Sequence, residues 1–94
     1  MHYAGFMLRY HVAFQLPRVV GEMVVAEGLH FPGAVTQGFD LREARLMIAS
    51  AMQDLDQIHM KEGRPLPIPN PDATADADLI ELVLLSVHVG TPRV

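Results

Sequence analysis

Ninety-four residues, half of them apolar and 19% charged, describe a chain that folds around one core and is too hydrophobic for a disordered segment. Seven basic residues against eleven acidic ones give a net charge of -4, and the basic residues run from Arg9 to Arg93 without a cluster, which argues against nucleic-acid binding by this chain alone. The absence of cysteine excludes disulfides, thiol catalysis and Cys-containing zinc sites.

In chain order, Met1 to Phe6 lack the basic-then-apolar pattern of a signal peptide, and no apolar run approaches the length of a membrane span, so a cytoplasmic protein with no membrane association is expected. Residues 1–7 are expected to form a loose extension, with either Met1 or Met7 as the true start. From Leu8 to Leu16, Leu8, Tyr10, Val12, Phe14 and Leu16 alternate with Arg9, His11, Ala13 and Gln15, the period-two pattern of a half-buried strand. Pro17 and Gly21 bracket a turn. Glu22 to Glu27 then predicts a second, antiparallel strand. Phe31-Pro32-Gly33 reads as a turn, and Ala34 to Gln37 as a brief third strand.

Asp40 is a good helix N-cap and Glu43 completes an acidic capping box, which predicts a helix from Asp40 to about Met60. Leu41, Ala44, Ile48, Ala51, Met52, Leu55 and Ile58 form its apolar stripe, whereas Asp54 and Asp56 read as solvated. Lys61 suits the helix C-terminus, and Gly63 supplies a left-handed closing residue. Pro65, Pro67, Pro69 and Pro71 predict an extended connector over residues 63–77. Leu79 to Val89 is the last strand. It is apolar on both faces, with Ile80, Leu82 and Leu84 on one and Val83, Leu85, Val87 and Val89 on the other.

The expected fold is therefore α+β, a β-β-β-α-β two-layer sandwich in a single domain. One helix covers only one face of such a sheet, so the second apolar face predicts a homo-oligomer, with Val83, Leu85 and Val87 as the candidate interface residues.

The run Phe31-Pro32-Gly33-Ala34-Val35-Thr36-Gln37-Gly38-Phe39-Asp40-Leu41-Arg42-Glu43-Ala44 resembles the central signature of the HicB antitoxin family of bacterial type II toxin-antitoxin systems, Leu-Pro-Gly-Cys-Val-Thr-Gln-Gly-Asp-Thr-Leu-Glu-Glu-Ala. Glu62-Gly63-Arg64-Pro65-Leu66-Pro67-Ile68-Pro69 resembles the stretch that follows the family's helix. The chain departs from the family at its first hairpin turn, at Met23, at Leu29-His30 and at Ala34. The resemblance implies a partial ribonuclease-H-like fold without nuclease activity. It also implies the toxin-neutralising half of an antitoxin, which binds a HicA-type messenger-RNA-cleaving toxin and lacks the C-terminal DNA-binding domain. Under it, His30, Phe31 and Pro32 are candidate partner contacts, and Gly33, Gly38, Asp40 and Glu43 are structural motif residues.

No catalytic residue, metal site or cofactor is expected. Asp54 and Asp56 diverge on a helix, Asp72, Asp76 and Asp78 lie in the connector, and the histidines at 2, 11, 30, 59 and 88 lack metal-ligand spacing. Ser50 and Ser86 have no histidine at a suggestive offset. The alternatives to an antitoxin are a stand-alone oligomeric protein without a toxin partner and, with less support, a metal-dependent nuclease.

Overall fold

The structure, a computed structural model, describes the backbone of residues 3–90 and the side chains of residues 7–86. Strands β1 (Tyr3–Gln15), β2 (Val24–Gly28) and β3 (Val35–Gly38) precede helix α1 (Leu41–Lys61) and strand β4 (Leu79–Gly90). All neighbouring strands are antiparallel, in the order β3-β2-β1-β4. The fold is thus α+β, with one helix layered on a four-stranded sheet, as the hydrophobic periods predict.

Strand β1 begins at Tyr3, five residues earlier than its alternation predicts. Residues 3–7 are not a loose extension, because they continue the ladder with β4 out to the pair Tyr3 and Gly90. The other boundaries agree with expectation to within two residues, and β4 starts at Leu79 as expected. Each turn between strands has a local cause. Pro32 and Gly33 occupy the middle of a turn closed by the Ala34 N–H donating to the Phe31 carbonyl at 3.1 Å, and Gly33 has φ +84°. Proline followed by a residue of positive φ is the requirement of a type II turn. In the first hairpin Gly21 has φ +95°, and one Glu22 carboxylate oxygen accepts the N–H groups of both Arg18 and Val19.

Asp40 caps α1. Its extended backbone turns the side chain toward the Glu43 N–H, which donates to it at 2.7 Å, while the Glu43 carboxylate accepts the Phe39 N–H at 2.9 Å. The helix closes as expected: the Glu62 N–H donates to the Ile58 carbonyl, and Gly63 takes φ +68°. The connector then runs back along the helix side of the sheet. The Tyr10 hydroxyl donates to the Pro67 carbonyl, and Gln15 donates to the Asp76 carbonyl. This return path is what lets β4 enter antiparallel to β1.

The core lies between helix and sheet. Tyr10, Val12, Phe14, Val24, Ala26 and Leu85 meet Ala44, Ile48 and Met52, and Phe31 closes one side with its ring edge-to-face on Tyr10 at 4.8 Å. Ile58, placed on the apolar stripe by its spacing, is instead exposed, and Asp56 is buried. The buried side of α1 is thus rotated at its C-terminal end relative to the stripe read from spacing.

Two substitutions test this local logic. Asp40→Ala should destabilise the domain by about 0.5–2 kcal/mol through loss of the cap, read as a lower urea midpoint. Gly38→Ala should be worse than the roughly 1–3 kcal/mol of ordinary overpacking, because the new methyl would lie 2.5 Å from the Ala44 backbone nitrogen, which cannot move without unwinding the first turn. A Gly38→Ala protein as stable as wild type would refute this placement of the helix start.

Candidate functional site

The predicted site residues divide sharply once placed. Gly33, Gly38, Asp40 and Glu43 form one continuous turn–strand–cap unit, and each has a backbone task. The conformational reason for the signature over residues 31–44 is therefore visible. It shapes the entry to α1.

Of the three candidate partner contacts, Phe31 must be withdrawn. It is 3% exposed and packed on Tyr10, so a partner reaches it only by opening the core. His30 and Pro32 are exposed. His30 holds φ +58° in the turn closed by the Phe31 N–H on the Gly28 carbonyl, a conformation that histidine tolerates better than most residues. It has a turn-forming role whether or not a partner touches it.

The candidate interface residues need the same correction. Leu85 is 1% exposed and Val83 packs against the core, because β4 pairs with β1 in a register that sets Leu85 beside Leu8 and Val83 beside Tyr10, on the helix side. The side chain of Val87 lies outside the described residues. Ile80, Leu82 and Leu84 of the same strand occupy the other face, where Leu82 and Leu84 are about half exposed. With Met7, Val25 and Val35 they form an apolar surface that no described element of the chain covers. On the helix layer, Phe39, Leu46 and Met47 stand 79%, 64% and 47% exposed around the start of α1.

A shallow cleft of about 390 Å³ opens at the β1–β2 turn, lined by Gln15, Leu16, Arg18, Glu22, Met23, Val25 and Gln37. Its two charged groups are committed elsewhere. Arg18 pairs with Asp78 at 2.8 Å, which raises the pKa of the guanidinium and lowers that of the carboxyl, and Glu22 is held below the usual carboxylate range by the backbone N–H groups that it accepts. No serine, threonine, lysine or histidine lines it. Across the helix, Arg45 binds Glu81 through two nitrogens, and this hydrogen-bonded pairing lowers the pKa of the Glu81 carboxyl. Among the described residues, no group of three or more His, Asp or Glu could hold a metal ion, and no helix is long and apolar enough to cross a membrane.

Sequence reasoning missed Asp56. It is 3% exposed, and neither carboxylate oxygen has a hydrogen-bond partner. Burial pushes its pKa up, opposed by the positive field of His59 one turn along the helix. Tyr10 responds to the same environment: burial first, and the Asp56 charge second, push its hydroxyl to about 12. The signal was weak, because helical spacing alone places Asp56 beside the stripe and gives no indication that the connector closes over this end of the core.

No protein-family profile matches the chain, and no curated protein or solved structure matches it at a significant level. The likeness to the HicB signature rests on the residues themselves.

Asp56 yields a pH prediction. Burial favours its neutral form, so the unfolded chain, with an aspartate pKa of about 3.9, releases the proton before the folded chain does. The folded state then binds more protons, and stability falls as pH rises from about 4 through the folded pKa. Asp56→Asn should remove this component: the variant should be the more stable at neutral pH, and its advantage should vanish near pH 4. Urea midpoints measured across that range check it, and parallel curves for the two proteins would refute the burial of an ionisable Asp56.

Proposed function

We propose that this chain is a non-catalytic protein-docking domain of the HicB antitoxin type, whose partner is a small basic HicA-type ribonuclease toxin in the cytoplasm of a bacterium. The observation that supports it is the patch of Phe39, Leu46 and Met47 at the beginning of α1. Three large apolar side chains left in water around the start of one helix are more than the packing of the domain requires, since the inward residues Ala44 and Ile48 already fill the core, and this reading takes them as contact residues. The patch follows directly on the signature-like unit, which sets the direction of α1. A net charge of -4 favours a basic partner and speeds its capture.

In this reading the chain acts by occlusion. It covers the toxin's RNA-binding surface, and none of its own groups takes part in chemistry. His30 and Pro32, both exposed, remain candidate contacts, and Phe31 serves by holding their turn against Tyr10.

The test is co-expression with the HicA-type toxin that this reading expects in the adjoining reading frame. Wild-type chain should restore growth to cells expressing the toxin and should co-purify with it. Leu46→Glu combined with Met47→Glu should weaken the complex at least tenfold without changing the melting curve, because both positions face solvent. Unrelieved toxicity in the presence of folded wild-type chain would defeat the antitoxin reading.

A further inference from the structure

The bare face of the sheet differs in chemistry from the rest of the molecule. Its side chains follow from the register. Across the sheet, Gln37, Val25 and Gln15 form one row, Val35, Glu27, Ala13 and Ile80 the next, then His11 and Leu82, Arg9 and Leu84, and Met7 and Ser86. Among the described strand residues it carries one full cation, Arg9, and one full anion, Glu27, both exposed. Neither has an ion-pair partner among the described residues. They cannot reach each other within one chain: four residues along β1 and one strand across separate them by roughly 14 Å. Over the described residues the face therefore carries one charge of each sign, although the whole chain carries -4.

We propose that this face is the interface of a homodimer in which two sheets pack face to face, with Arg9 of each copy against Glu27 of the other. A two-fold axis between the sheets exchanges the positions of these residues, so the dimer contains two Arg9–Glu27 pairs, and the apolar strip between them meets its own image. Leu82, Leu84 and Ile80 then lose their contact with water, as does Val35 toward the end of its row. Sheets packed this way lie about 10 Å apart, the depth of one interdigitated layer of side chains of this size. The charge pattern selects this occupant. A uniformly basic partner meets one favourable and one unfavourable charge here, whereas a second copy presents an Arg9 to each Glu27 and a Glu27 to each Arg9. The dimer goes beyond the antitoxin reading and leaves the Phe39, Leu46 and Met47 patch free on the outer side of each helix.

The decisive experiment uses two charge reversals at exposed positions. Light scattering should give twice 10.4 kDa for the wild-type chain at micromolar concentrations. Arg9→Glu alone and Glu27→Arg alone should each weaken self-association at least tenfold, because each creates two like-charge contacts across the axis. Mixing the two variants should restore a dimer containing one of each. In that mixed dimer the reversed charge of one copy faces the reversed charge of the other, and the native Arg9 faces the native Glu27, so both contacts again join opposite signs. No effect within a single chain yields that rescue. Leu84→Lys should give a folded monomer that still binds the toxin. A wild-type monomer, reversals that leave the dimer intact, or a dimer that survives Leu84→Lys would each overturn the proposal. A wild-type monomer whose Leu84 becomes protected only when toxin is added would overturn it while sparing the antitoxin reading. A dimer that passes these tests but fails to relieve toxicity would do the reverse.

Discussion

The pairing of β1 with β4 is the constraint from which the other features follow. The two strands run together from Tyr3 and Gly90 to Phe14 and Leu79, whereas β2 joins β1 only along its last four residues and β3 is shorter still. Because Tyr10, Val12 and Phe14 must face the helix, the register assigns Val83 and Leu85 to the core and Leu82 and Leu84 to the outside. A slip by one residue would exchange these sets. The apolar character of β4 on both faces makes it unusually tolerant of such a slip, so the register depends on features outside the strand.

Those features lie at the two ends of the connector. Asp78 accepts the Leu16 N–H and binds Arg18, and the Asp78 N–H donates to the Phe14 carbonyl, which ties the entrance of β4 to the exit of β1. At the other end Tyr10 donates to Pro67 and His59 contacts the Pro65 carbonyl. The prolines hold the intervening segment extended so that it spans the helix length without secondary structure of its own. Exposed ion pairs such as Arg18 with Asp78 add little stability singly, at most about 1 kcal/mol. Their contribution here is to fix register.

The layered architecture leaves two outer surfaces, and their chemistry differs. The helix side presents Phe39, Leu46 and Met47 on a domain of acidic charge, and the sheet side presents, among its described residues, an apolar strip with one charge of each sign. The two proposed contacts, with a second copy and with a basic partner, would use these two surfaces separately. Asp56 is buried without a hydrogen-bond partner, and its burial raises its pKa.

Much of this was written in local sequence. The alternation in β1, the proline-glycine turn, the Asp40 cap with Glu43 and the closing Gly63 each depend on residues within a few positions of one another, and each took the conformation its chemistry favours. The class α+β, the element order and the existence of an uncovered apolar face followed from those patterns. What the sequence could not decide was which apolar face is the inner one. Residues 79–86 satisfy both assignments, so Leu85 reads as an interface residue until the distant alternation of β1 claims it. The same holds for Phe31, which a turn motif displays and the Tyr10 ring buries, and for Asp56, whose spacing sets it beside the stripe until the connector closes over it. Each of these outcomes depends on contacts between segments distant in the chain, made by elements whose own patterns are already satisfied. Local propensity sets the elements, and only their packing determines which of their surfaces water still reaches.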